Sequence, residues 1–232
     1  MLEKRIAIIT ARGGSKRIPK KNIKEFCGKP IIAYSIEAAL DSGIFDEVMV
    51  STDSEEIAKI ARNYGASVPF MRSEETSNDF ATTRDVIMEV IDKYKSLGRT
   101  FEYIFCIYPT APFITSEKLI KVSKIMEEKQ PIEIIPVVQF SFPPQRCFVI
   151  DENNFMSYKY KEFAKSRSQD LEKCYHDAGQ FYVYNTKKYL ELDGNIVDGI
   201  MPIIVPEMEV QDIDNEEDWK IAELKYRIMQ EN

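Results

Sequence analysis

The 232-residue chain reads as an α/β protein: a mostly parallel sheet covered by helices. Three observations carry this. Ile6-Ala-Ile-Ile9 is an apolar run without alternation, which marks a strand buried on both faces. Strand and helix patterns then follow each other with short links, as parallel strands with crossover helices require. Finally, the strand ending at Tyr108 runs into Pro109-Thr-Ala-Pro112, a rigid extended turn at the strand's carboxyl end. In open α/β sheets that edge is where ligands bind.

The elements follow in order. Pro30 suits the first turn of a helix, and Ile32, Ile36, Ala39 and Leu40 mark its inner face. Val48-Met-Val50 is a second strand, ending at Ser51-Thr-Asp53. Ser54 caps the next helix, which buries Ile57, Ile60, Ala61 and Tyr64 and stops at Gly65. Phe70-Met-Arg72 leads into a polar loop that runs to Asp79. A helix beginning at Thr82 or Thr83 carries Val86, Ile87, Val90, Ile91 and Tyr94, and a strand spans 103–108. Ser116 opens a helix through Leu119, Ile120 and Met126, and 132–138 is another buried strand. From Gln139 to Lys173 the chain turns aromatic and charged, with Pro143-Pro144 and the alternating Tyr158 and Tyr160, and reads as an inserted β-rich excursion. The core resumes with one strand over 175–184, reached through a glycine. An edge strand over 200–205 is broken by Pro202 and Pro206. The last helix, 216–229, buries Trp219, Ala222, Tyr226 and Met229. Residues 1–232 form a single domain with an insertion at 139–178.

Composition narrows the function classes. Lys plus Arg is 31 and Asp plus Glu is 38, a formal charge of −7, which argues against a general nucleic-acid binder. No apolar run reaches the roughly 20 residues of a membrane helix, and the Met-Leu-Glu-Lys-Arg start leaves no room for a signal peptide. The expectation is therefore a cytoplasmic protein with no membrane or nucleic-acid partner. Cys27, Cys106, Cys147 and Cys174 are scattered, with no C-x-x-C pair, and His176 is the single histidine. Neither a disulfide framework nor a zinc or multi-histidine site is expected.

Against this acidic background, one stretch is basic. Between Ile6 and Lys24 there is no acid, but there are Arg12, Lys16, Arg17, Lys20, Lys21 and Lys24. Ala11, Gly13, Gly14 and Ser15 lie at the strand end and let backbone approach a ligand. This suits a polyphosphate, held by amides and side-chain charges together; the plainer reading is a solvated basic loop. Both the G-x-x-x-x-G-K-[ST] and the G-x-G-x-x-G spacings are absent.

Two further groups draw attention. In Val210-Gln-Asp-Ile-Asp214, the two aspartates share one side of an extended segment and Ile213 turns into the core. Two carboxylates without histidine suit Mg²⁺. Asp214 with Glu217 equally reads as a helix-capping box, and the pattern alone leaves both open. The lone His176 fits a structural, a substrate-positioning or a general-base role, all of which an imidazole can serve.

Ala11-Arg-Gly-Gly-Ser-Lys16, Pro19-Lys-Lys-Asn22 and Gly28-Lys-Pro30 together resemble the signature of the CMP-sugar-acid synthetases, the cytidylyltransferases that activate sialic, legionaminic and pseudaminic acids. The resemblance spans essentially the whole chain. It implies a Rossmann-like nucleotidyltransferase fold of the nucleotide-diphospho-sugar transferase type. In that family the basic loop wraps a nucleoside triphosphate, so Arg12 and Lys16 would neutralise phosphates while Lys21 and Asn22 help hold the nucleotide. Arg72 and Thr83, the latter in Asp79-Phe-Ala-Thr-Thr83, resemble the segment that contacts base and sugar. The family's metal-binding Asp-x-Asp falls at Asp212 and Asp214, which implies Mg²⁺. The 139–178 insertion matches a dimerisation arm that reaches the partner's active site, implying a homodimer.

Arg167-Ser-Gln-Asp-Leu171 with Tyr175-His-Asp-Ala-Gly-Gln180 and Tyr182 is most similar to the pseudaminic acid branch; Tyr108 stands where the sialic acid branch has Gln. Tyr108, Arg167, Gln169, His176, Asp177 and Tyr182 are thereby implied as sugar contacts. Arg167 suits a carboxylate bidentately or, equally, a dimer interface. The expected reaction moves CMP from CTP to the anomeric hydroxyl of a nine-carbon sugar acid, pseudaminic acid first, releasing pyrophosphate. The alternatives are legionaminic or sialic acid with CTP or another nucleotide, and a catalytically silent nucleotide-binding sensor.

Overall fold

The computed structural model describes residues 2–231. The chain runs β1 (Leu2–Thr10), β2 (Glu25–Phe26), β3 (Lys29–Pro30), α1 (Ile31–Ser42), β4 (Glu47–Ser51), α2 (Glu55–Asn63), α3 (Thr83–Ser96), β5 (Thr100–Ile107), α4 (Ser116–Lys129) and β6 (Glu133–Gln139). There follow β7 (Phe148–Ile150), β8 (Met156–Tyr158), β9 (Tyr175–Asp177), β10 (Phe181–Asn185), α5 (Thr186–Glu191), β11 (Ile200–Ile204) and α6 (Glu216–Gln230).

The main sheet has the order β11-β6-β10-β5-β1-β4, with β9 paired to β6. β1 is parallel to β4 and β5, and β11 is parallel to β6. β10 is antiparallel to both β5 and β6, and β9 is antiparallel to β6, so two reversed strands sit in an otherwise parallel set.

β1 explains why the first run lacks alternation. Ala7 and Ile9 pack on one face, against α1, α2 and α4; Ile6 and Ile8 pack on the other, against α3 and Tyr189 of α5. All four are at most 1% exposed. Each buried Ile contributes roughly 1.5–3 kcal/mol relative to exposure. A third cluster gathers Ile18, Phe26, Tyr34, Phe113, Ile213 and Trp219, and fixes α6 and the segment before it beside the carboxyl edge of β1.

Most helix signals lie where the sequence puts them. The Ser54 side chain caps α2 by accepting from the Ile57 amide, and Thr82 with Asp85 forms a capping box for α3. Pro30 caps α1 from outside; the helix begins one residue later, at Ile31. The last helix departs from expectation. Its capping box is Asn215 with Asp218, not Asp214 with Glu217. Asn215 is extended (φ −145°), which aims its amide oxygen at the Glu217 and Asp218 amides and leaves the Asp214 carboxylate out of the cap.

Two further expectations are corrected. The 175–184 stretch is two strands, because six steps from Asp177 to Val183 face only three from Val137 back to Ile134. Gly179, with φ +62°, makes the bend. The insertion is also narrower than 139–178. Gln139 ends β6 and 175–177 pair with it, so only 140–174 leaves the sheet. Within that stretch the β content is the small β7–β8 hairpin; short 3-10 turns occupy Pro144–Arg146, Lys161–Phe163 and Ser168–Asp170.

Candidate functional site

β1, β4, β5 and β6 all end at the same sheet edge, and the reversed β10 begins there. Two cavities open along this edge. The first, about 460 Å³, is lined by Thr10, Arg12, Ser15, Lys16, Arg17, Lys21, Asn22, Arg72, Thr82, Thr83, Tyr108, Thr110 and Asp214, among others. The second, about 610 Å³, includes Phe140, His176, Asp177, Tyr182, Glu207, Asp212 and Lys225. Tyr108 and Thr110 line both, so the cavities form one cleft.

The first cavity is cationic. Arg12 donates to Asp79 Oδ1 at 3.0 Å and to the Asn78 carbonyl at 3.2 Å; Lys16 pairs with the other Asp79 oxygen. Arg72 is buried, its Nε donating to Ser51 Oγ at 3.0 Å and its Nη2 to the Ser51 carbonyl at 2.6 Å. No carboxylate among the described residues forms an ion pair with it, and burial draws its guanidinium below the usual arginine range. An unpaired buried cation bordering a cavity is a ready partner for an anion. Lys21 reaches the Ile213 carbonyl at 2.6 Å; burial lowers its ammonium, and Asp214 and Asp212 oppose that shift. Asn22 is buried and donates to the Arg12 carbonyl at 2.9 Å, so it braces the loop from within.

Neither glycine of the loop lines the cavity. Gly13 donates its amide to Asp53 Oδ1 at 2.8 Å, and a Cβ there would lie 3.1 Å from Ser54 Cβ. Its small size serves close packing of the loop on the start of α2. Gly14 faces open space, and Ala11 is fully buried.

In the second cavity, Asp177 is held from two sides. Its Oδ1 accepts from the Gly179 amide at 2.7 Å and its Oδ2 from the Tyr182 hydroxyl at 2.6 Å. The Tyr182 ring meets Tyr108 edge to face at 5.3 Å. Burial raises both phenols, which keeps them hydrogen-bond donors at neutral pH. Tyr108 in turn lies 3.4 Å from the Thr83 hydroxyl, joining the two cavities. His176 stacks on Phe140 at 4.8 Å. Its Nδ1 donates to the Asp177 carbonyl at 2.9 Å, leaving Nε2 free.

Ile213 is buried as expected, but its neighbours are divided rather than sharing one site: Asp214 lines the first cavity and Asp212 the second. Asp214 pairs with Arg17 at 2.7 Å. No cluster of three or more acid, His or Cys side chains suited to a metal occurs among the described residues. Asp214 in the cationic cavity, with Asp212 close enough that both act on the Lys21 ammonium, nevertheless fits Mg²⁺, which is commonly held by one or two carboxylates together with substrate phosphates.

Arg167 and Gln169 are not brought into the cleft of their own chain. They lie in the off-sheet segment, where Arg167 is bound by Asp170 at 2.8 and 3.2 Å. Conversely, the sequence reading gives no role to Thr110 or Lys225, and names Asp79 only as the start of the segment that carries Thr83. The signal for Lys225 is a lysine beside Ala222, Tyr226 and Met229, on the face of the last helix that is otherwise apolar.

A family model described as cytidylyltransferase matches residues 6–191. The chain is 41% identical over 229 residues to a pseudaminic acid cytidylyltransferase of Campylobacter jejuni, covering 99% of each. It is 34% identical over 239 residues to a CMP-N,N'-diacetyllegionaminic acid synthase of Legionella pneumophila, covering 97% of each. Among solved structures, a CMP:2-keto-3-deoxy-manno-octonic acid synthetase complexed with CTP superposes with a TM-score of 0.70 at 17% identity, over 99% of this chain and 100% of that one, a likeness of fold.

Proposed function

The chain belongs to the cytidylyltransferase family, and from that premise we propose that it transfers CMP from CTP to the anomeric hydroxyl of pseudaminic acid, releasing pyrophosphate. The observation that carries this reading is the junction at Tyr108 and Thr110. On one side of it Arg12, Lys16, Arg17, Lys21 and Arg72 suit a triphosphate; on the other His176, Asp177 and Tyr182 suit a hydroxyl-rich sugar. The higher identity to the pseudaminic acid relative favours that sugar over legionaminic acid.

The mechanism follows from positioning and charge. The sugar hydroxyl attacks the α-phosphorus in line, and holding both reactants across the junction removes most of the entropic barrier. Arg12 and Lys16 leave Asp79 for the phosphates and stabilise the departing pyrophosphate. Arg72, already desolvated and fixed by Ser51, supplies a positive charge that needs no reorganisation. Thr83 and Tyr108 orient the nucleotide where the cavities meet, and Asp177 accepts from the sugar's hydroxyls. Asp212 and Asp214 would hold Mg²⁺, which when bound neutralises phosphate charge and lowers the attacking hydroxyl's pKa. The free Nε2 of His176 can orient the sugar or take its proton.

The homodimer belongs to the same proposal. Phe142, Ile150 and Phe155 are at least 70% exposed on the off-sheet segment, apolar side chains suited to cover by a second copy. Such a contact offers Arg167 and Gln169 a route to the partner's cleft. A cytoplasmic setting is supported by four free cysteines. No helix among the described residues is long and apolar enough to cross a membrane.

The test is magnesium-dependent pyrophosphate release, crossing CTP, GTP, ATP and UTP against pseudaminic, legionaminic and sialic acids. Release with CTP and pseudaminic acid is expected. Release with another sugar acid moves the specificity, and nucleotide binding without release under any pair overturns the reading in favour of a sensor.

A further inference from the structure

Lys225 is the one Lys or Arg among the described residues that line the second cavity, where Asp177, Glu207 and Asp212 contribute carboxylates. It projects from α6, and its Nζ donates to the carbonyls of Val210 at 2.6 Å and Glu207 at 3.3 Å. An ammonium carries three protons, so one donor remains for the cavity. A sugar acid bears a carboxylate next to its anomeric carbon. Asp212 would be taken up by Mg²⁺ with the phosphates, but bringing that charge into a cavity with Asp177 and Glu207 is still unfavourable unless a further cation meets it. Within the chain, Arg167 is bound to Asp170, and Arg12, Lys16, Arg17, Lys21 and Arg72 line the first cavity.

Resting on the functional reading above, we propose that Lys225 receives the carboxylate of the sugar acid and thereby selects acids over neutral sugars. The two backbone carbonyls hold the ammonium at a fixed point, and the contact turns the neighbouring anomeric hydroxyl toward the Tyr108–Thr110 junction. Lys225 also ties the 207–210 segment to α6, so the test must separate charge from structure.

Pyrophosphate release by the full chain is measured with CTP and either pseudaminic acid or its C1 carboxamide. Absence of release with pseudaminic acid in the unsubstituted protein overturns the functional reading itself, and is seen before any variant is made. Given release, the unsubstituted protein is expected to favour the acid, and equal KM for acid and carboxamide overturns the role of Lys225 without a variant. Lys225→Gln, which removes the charge and keeps a shorter hydrogen-bonding side chain, is expected to raise KM for the acid roughly 10- to 100-fold, the scale of one lost charge-assisted bond. KM for CTP and for the carboxamide should stay unchanged, and Lys225→Arg should retain the preference for the acid. A rise shared equally by acid, carboxamide and CTP, or no rise at all, overturns the proposal and leaves only the structural tie.

Discussion

Asp79 and Arg12 form an ion pair at 3.0 Å across 67 residues of chain, and Lys16 closes on the second oxygen of the same carboxylate. The Lys16 ammonium first, then Arg12, holds the Asp79 carboxyl below the usual carboxylate range. A loop acid thus occupies the two cations that the reaction assigns to phosphates. In the proposed mechanism a triphosphate, with more charge and more acceptor oxygens than one carboxylate, displaces it.

Removing that competitor should tighten nucleotide binding. Asp79→Ala is expected to lower KM for CTP roughly two- to fivefold, as fits the modest strength of an exposed ion pair. Steady-state kinetics at low ionic strength checks this, and a higher KM would show instead that Asp79 touches the nucleotide.

Asp214 and Asn215 are neighbours with separable duties. Asp214→Asn is expected to reduce magnesium-dependent turnover about 100-fold or more, the scale of losing a direct charge in phosphoryl transfer, with little change in stability. Asn215→Ala removes the cap that accepts from the Glu217 amide at 2.8 Å and the Asp218 amide at 3.0 Å, and should lower stability by about 1 kcal/mol. Urea unfolding beside magnesium titrations distinguishes them; full activity of Asp214→Asn with unchanged metal dependence would sink the metal assignment.

Tyr182 fixes Asp177 through one hydroxyl at 2.6 Å. Tyr182→Phe leaves the Gly179 amide as the remaining anchor and is expected to raise KM for pseudaminic acid roughly tenfold. KM for CTP should not follow, since the residue lines only the second cavity.

Glu133 is buried on β6 opposite Tyr184, and burial pushes its carboxyl up from 4.5 to about 7. The folded chain therefore holds a proton that the unfolded chain releases between those values. This contribution is full below about pH 4.5 and is lost as pH rises through about 7, at most about 3 kcal/mol. Glu133→Gln should remove that slope. Urea midpoints of both proteins at about pH 5 and about pH 8 measure it; parallel pH dependences would contradict the burial argument.

The off-sheet segment predicts its own assembly. Phe155→Asp puts a charge on this exposed segment and should shift the sedimentation of the proposed homodimer to that of a monomer. Unchanged sedimentation would remove the segment from the interface.

Much of this was legible locally. Ile6-Ala-Ile-Ile9 reads as buried on both faces because both faces of β1 are covered, and Ser54, Thr82 and Gly65 punctuate helices through bonds or backbone angles set within a few residues. The basic loop and Asp212/Asp214 stand out because their residue types suit phosphate and metal wherever they fold.

What the sequence left open was every relation between distant segments. The break at 178–180 depends on how β6 pairs, the choice of Asn215 over Asp214 as cap depends on one backbone angle, and the approach of Lys225 to the 207–210 carbonyls depends on α6 docking through Trp219. The sequence by itself determined the α/β class and the chemistry of the cationic loop, because periodicity and residue type act over one or two turns of chain, and its motifs carried the resemblance to the family. Tertiary structure alone decided that Asp79 meets Arg12, that Tyr108 joins two cavities and that Arg167 stays out of its own cleft, because register and docking are set by packing between segments far apart in sequence.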